Sequence, residues 1–280
     1  MSAAHLSLDQ TAPKPQSRRE PSSQQLRALL HEQLVAARAA HGRGDLREAA
    51  EQYRRVLFVS PAHAAALLGL SLIARQSSQF EPALHMAQAA VAASPLSALA
   101  WSNLGDILLA GLLSLPGKQD EKSEEAPGKQ ANAAALLKSA ERAFERALTL
   151  DAQLHAAHLG LGNAVAQRED YAAALQHFSH AAELAPDRAE IQFALAFAHG
   201  KLGQHGAAVD HYRRALLVNP AFASAWLNLG VELVADGRDQ LAPACYAQAI
   251  QAVRKAASDP LATELSAHLN LGHLARSRQR

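Results

Sequence analysis

Residues 155–188 read HAAHLGLGNAVAQREDYAAALQHFSHAAELAPDR, and residues 189–222 read AEIQFALAFAHGKLGQHGAAVDHYRRALLVNPAF. The two 34-residue stretches agree at Leu161 and Leu195, Ala174 and Ala208, Phe178 and Tyr212, and Pro186 and Pro220. The step of 34 extends outward in both directions. Ala140, Ala174, Ala208 and Ala242 follow it, as do Ala49 and Ala83 nearer the N-terminus. Four residues after each alanine stand Tyr53, Ala87, Phe144, Phe178, Tyr212 and Tyr246, five of the six aromatic. Prolines keep the step from Pro61 to Pro95 and from Pro186 to Pro220. A second signature precedes them: Trp101-x-x-Leu104-Gly105, His158-x-x-Leu161-Gly162, Trp226-x-x-Leu229-Gly230 and His268-x-x-Leu271-Gly272. A fixed period of this length marks stacked units, none of which can bury its apolar face alone.

Each position has a physical task in a pair of packed helices. A Gly or Ala eighth in the unit (Gly105, Gly162, Ala196, Gly230) lets two helices approach closely. The alanine of the second helix does the same from the other side, and the aromatic four residues on shares its helical face. Proline ends the second helix because it has no N–H to donate and clashes with the preceding turn. Gly44, Gly203 and Gly237 fall at the turn inside the pair, where a left-handed backbone suits glycine.

The pattern W-x₂-L-G, A-x₃-F, P at this spacing resembles the tetratricopeptide repeat family over roughly residues 30 to 277. The resemblance implies an all-α fold, a right-handed α-solenoid of six helix pairs with a C-terminal capping helix. The expected pairs are residues 30–63, 64–97, 98–154, 155–188, 189–222 and 223–256, with the cap over 261–277. The whole solenoid is expected over residues 22–277. The first pair departs from the pattern, with Gln33, Ala36 and Ala37 in place of Trp, Leu and Gly, and the second has Ala87 for the ring. In the third pair 23 extra residues separate Ala83 from Ala140. They are expected as a loop over residues 112–134, polar, mixed in charge and broken by Pro116-Gly117 and Pro127-Gly128.

Composition agrees with helices and narrows function. The chain is 49% hydrophobic but only 5% aromatic, alanine supplying much of the difference, and alanine is the best helix former. Net charge is +1, which offers no general field for nucleic acid. Residues 1–21, rich in Ser, Gln and Pro, have no apolar run and read as a flexible tail. Val56–Ala74 and Pro82–Asn103 carry no charge, but Pro61 and Pro95 interrupt them, so no membrane span is expected and the protein is expected in the cytoplasm. Cys245 is the only cysteine, which excludes an intrachain disulfide and a cysteine-based zinc cluster.

No catalytic motif emerges: Gly117-Lys118 and Gly128-Lys129 lack the rest of a phosphate loop, and no Gly-x-Ser-x-Gly elbow occurs. No enzyme activity, cofactor or metal is expected. His177, His211 and Cys245 share one register, but packed helices lie about 8–10 Å apart, too far for three such residues to meet on one ion.

The family resemblance implies a concave groove lined by the first helix of each pair, at the second, fifth, sixth, ninth, twelfth and thirteenth positions. The candidate partner-binding residues read off this rule are Arg75, Asn103, Asp106, Asn163, Lys201, Asn228 and Asn270, with Phe193 and Phe197 as an apolar strip. Asn-Leu-Gly at the sixth position is similar to the asparagine ladder of the O-linked N-acetylglucosamine transferase repeats, whose amides hold a peptide backbone. Gly69, Gly160 and Ala194 interrupt the ladder here, and the carboxylate clamp of chaperone-binding repeats does not align. The expected function is a protein–protein scaffold or adaptor taking a peptide or helix of a partner. A recruiting subunit of a glycosyl- or sulfotransferase system, or of a secretion or pilus assembly machine, is the alternative.

Overall fold

A computed structural model describes residues 23–114 and 126–256. Its helices are α1 (Ser23–Gly42), α2 (Leu46–Val59), α3 (Ala64–Gln76), α4 (Phe80–Ala93), α5 (Ala98–Ser114), α6 (Ala126–Leu150), α7 (His155–Gln167), α8 (Tyr171–Leu184), α9 (Ala189–Lys201), α10 (His205–Val218), α11 (Ala223–Ala235) and α12 (Ala242–Ala256). A short 3-10 turn, Asp239–Leu241, precedes α12. Among the described residues there is no strand, and the fold is an α-solenoid of six antiparallel pairs. The expected tail at residues 1–21 and cap at 261–277 lie outside the described residues.

Local chemistry starts and stops the helices where the period requires. Asp45 and Asp170 cap α2 and α8, each side chain accepting a backbone N–H three residues on. Turns inside the pairs use a left-handed residue, Gly44, Gly203 and Gly237, with Ser78 (φ 55°) and Glu169 (φ 63°) at the same register. The expected loop at 112–134 is corrected at its ends, where α5 runs to Ser114 and α6 begins at Ala126; residues 115–125 lie outside the described residues. The apolar and alanine-rich flanks of the insertion favour helix, and Leu112, Leu136 and Leu137 find burial against the core of the third pair.

Tyr53, Phe144, Phe178, Tyr212 and Tyr246 are all buried. Glycines make their pockets. A Cβ on Gly105 would fall 2.6 Å from the Phe144 ring, and one on Gly160, in the following pair, 2.2 Å from the same ring. Gly69 stands in the same way against Tyr53 of the preceding pair. The sixth position therefore meets the aromatic of the pair before it.

The first-helix signature has an equally specific role. Trp101 Nε1 donates to Pro95 O (2.9 Å), and Trp226 Nε1 donates to Pro220 O (2.9 Å). His158 and Gln192 replace tryptophan, and their Nε2 atoms lie 3.1 Å from Ala152 O and Pro186 O. A carbonyl only accepts, so His158 must carry its proton on Nε2. A side-chain N–H six residues beyond the junction thus ties α5, α7, α9 and α11 to the end of the preceding pair, whereas α3 has Leu67 at this position and makes no such bond.

Each odd-numbered helix from α1 to α11 contacts the next odd one, whereas the even-numbered helices make no comparable contacts with one another. The stack therefore curves toward its first helices, which line the concave face.

Candidate functional site: the concave groove

A cavity of about 720 Å³ opens on the concave face. Arg75 from α3, Asp106 from α5, Asn163 from α7, Phe193 and Phe197 from α9, and Asn228 from α11 all line it. Six candidates chosen by register alone thus share one wall although they span 154 residues of sequence, from Arg75 to Asn228. Gln167 and Leu159 complete the α7 side.

Aromatic contacts shape the floor. Phe193 stacks on Phe222 with ring centroids 4.8 Å apart and meets Tyr212 edge-on at 5.5 Å. Tyr171 approaches Phe197 edge-on at 6.0 Å, and the Lys201 ammonium lies 5.4 Å from the centroid of the Phe197 ring. These are ordinary aromatic-pair and cation–π distances, so the rings of the strip support one another. Asn228 hydrogen-bonds the Tyr212 hydroxyl, whose pKa burial pushes upward.

Asp106 is half-buried beside Arg75. Desolvation pushes its pKa up to about 6, against the attraction of the guanidinium.

Three candidates do not join this wall: Lys201 does not line the cavity and lies beside it over the Phe197 ring. Asn103 is 5% exposed and donates from Nδ2 to Ser71 Oγ at 2.7 Å. The ring position of the preceding pair is here an alanine, Ala87. Asn103 is corrected from a groove contact to a buried helix-to-helix bond. Asn270 lies outside the described residues.

Glu169, Glu190, Tyr171 and Phe222 also line the cavity. Glu190 occupies the second register position, so the same rule could have found it. The other three come from turns or a second helix, where a first-helix rule gives no signal.

Five of the histidines lie against one another. His158 lies against His177 and His180 with centroids 6.3 and 4.9 Å apart, and His199 stacks on His211 at 5.3 Å. Among the described residues no three His, Cys, Asp or Glu side chains converge as a metal site. No described helix is long and apolar enough to cross a membrane.

Family models agree with this architecture. One described as tetratricopeptide repeat matches residues 34–84, 72–113 and 193–260, and one described as TPR repeat matches 162–203. The small glutamine-rich tetratricopeptide repeat-containing protein 2 of Mycosarcoma maydis is 32% identical over 90 residues, which is 32% of this chain and 26% of that protein. The match thus spans about a quarter of that relative's length. A thermophilic TPR protein of Thermus thermophilus superposes with a TM-score of 0.60 at 20% identity, over 73% of this chain and 99% of that one. PilW, a widely conserved type IV pilus biogenesis factor, gives a TM-score of 0.64 at 20% identity, over 85% of this chain and 98% of its own. In the APC/C hetero-tetramer Cut9–Hcn1 a chain gives 0.67 at 15% identity, over 88% and 46%. Likeness at these identities is a likeness of fold.

Proposed function

The chain belongs to the tetratricopeptide repeat family, and from that premise we propose that it is a non-catalytic scaffold holding a segment of a partner protein in its concave groove. The observation that carries the proposal is the cavity of about 720 Å³ in which four successive pairs and α3 place polar and aromatic side chains on one wall. A volume of that size with an apolar floor and a few fixed polar groups is what a recognition site requires. Aromatic rings supply contact area at little entropic cost, while Asn163, Gln167 and Asn228 can donate and accept toward a peptide backbone. Repeat stacks present such extended concave surfaces because each unit adds a small rotation to the last.

Capture from lysate of the source organism tests it. The triple variant Asn163→Ala, Phe197→Ala, Lys201→Ala alters exposed or half-buried groove residues and is expected to keep the wild-type melting temperature within a few degrees. It should lose most of the partner that wild type retains, each lost hydrogen bond costing about 0.5–1.5 kcal/mol. A folded variant that retains every partner would move the binding site to the convex face or the tails.

A further inference from the structure

Resting on the groove reading, we infer that the partner segment is basic and apolar together, an Arg- or Lys-bearing stretch with an aromatic or aliphatic side chain beside the charge. Three carboxylates line the cavity, those of Asp106, Glu169 and Glu190, against one lining cation, Arg75, with Lys201 beside the cavity over the Phe197 ring. Arg75 and Asp106 attract each other, which leaves their end of the groove close to neutral. Glu169 and Glu190 are exposed, and among the described residues their carboxylates form no ion pair or hydrogen bond. The adjacent Arg168 does not compensate Glu169, because its guanidinium is directed to Glu141 at 3.5 Å.

The uncompensated carboxylates flank an aromatic stripe. Glu190, Phe193 and Phe197 follow at i, i+3 and i+7 on α9, one face of a helix. Glu169 is two residues from Tyr171, whose ring meets Phe197. Lys201 over Phe197 shows that this aromatic surface accepts a cation. A guanidinium stacked on such a ring can also hydrogen-bond a carboxylate in the ring's neighbourhood, and its apolar neighbour can cover the rest of the strip. An acidic segment would set like charges against each other, and a wholly apolar one would desolvate two carboxylates without a partner.

A phage-displayed library of random dodecapeptides, panned on the full chain, is the probe. Enriched sequences should place Arg or Lys next to Leu, Phe or Tyr. A peptide made from the strongest of them should bind roughly five-fold more weakly to Glu169→Gln, Glu190→Gln, and more weakly as salt is raised. Phe197→Ala should weaken it too, with the exposed Asn163→Arg as second variant should Phe197→Ala not fold. Enrichment of acidic or uncharged peptides that lose binding on Phe197→Ala overturns the charge inference and leaves the groove reading standing. Absence of enrichment, or bound peptides indifferent to all groove variants, overturns the groove reading and this inference with it.

Discussion

Asp106 concentrates the conflict between folding and site. Its carboxyl titrates at about 6 in the folded chain, whereas the ordinary value is 3.8. Between those two pH values the native state holds a proton that the unfolded state has released. Stability therefore falls as pH rises through the window from about 4 to 6, and the deficit is fully present above it. A shift of that size corresponds to at most about 3 kcal/mol. Asp106→Asn, which keeps the shape and removes the charge, is expected to raise unfolding free energy in urea at pH 8 by up to that amount and to change little near pH 4. Equal gains at both values would show that Asp106 is not the titrating group. Ser78 offers a second test at this scale. It holds φ 55° at a turn register where Gly44, Gly203 and Gly237 stand, and a left-handed side-chain-bearing residue costs about 1–2 kcal/mol. Ser78→Gly is therefore expected to stabilise by about 1 kcal/mol, and thermal denaturation reads it directly.

Between elements, the governing contact is an aromatic ring held by two glycines. Phe144, fully buried on α6, is gripped by Gly105 of its own pair and Gly160 of the next. Helix propensity alone would make Gly160→Ala stabilising by about 1 kcal/mol. The ring cannot retreat, because Gly105 backs it on the other side, and overpacking typically costs about 1–3 kcal/mol. The expected outcome is net destabilisation in urea denaturation, and a stabilised variant would show that the ring has room. The same geometry explains the interrupted asparagine ladder. Gly69 and Gly160 make room for Tyr53 and Phe144, and Asn228 bonds the hydroxyl of Tyr212. Asn103 follows the alanine at 87 and is buried against Ser71.

For the whole molecule, stability is a chain of nearest-neighbour terms. Each pair contacts only the pairs beside it, so no distant contact holds the first pair in place. α1 and α2 have a neighbour on one side only among the described helices, whereas α9 and α10 are packed between α8 and α11. Native-state hydrogen exchange is expected to show amide protection higher in α9 and α10 than in α1 and α2. Uniform protection along the chain would mean that the stack unfolds as one unit.

The period of 34, the order of pairs and the identity of the buried rings were legible in the sequence, because each is imposed by a short-range demand that recurs in every unit. A ring needs a small residue opposite it, a junction favours a proline, and a left-handed turn favours glycine. The same register brought six of the nine candidate residues to one cavity wall. At the insertion the polar composition points to a loop, whereas the alanine-rich end that leads into Leu136 and Leu137 is helical in α6, where helix propensity and burial agree. What only the tertiary structure decided is the direction each sixth-position side chain takes. Asn103 and Asn228 hold the same place in the repeat, yet one is buried against Ser71 and the other reaches the groove. The difference comes from the preceding pair, which presents Ala87 to the first and Tyr212 to the second. The Glu169 and Glu190 carboxylates beside the aromatic strip are likewise a product of stacking, since curvature toward the first helices brings a turn and a helix face to one opening.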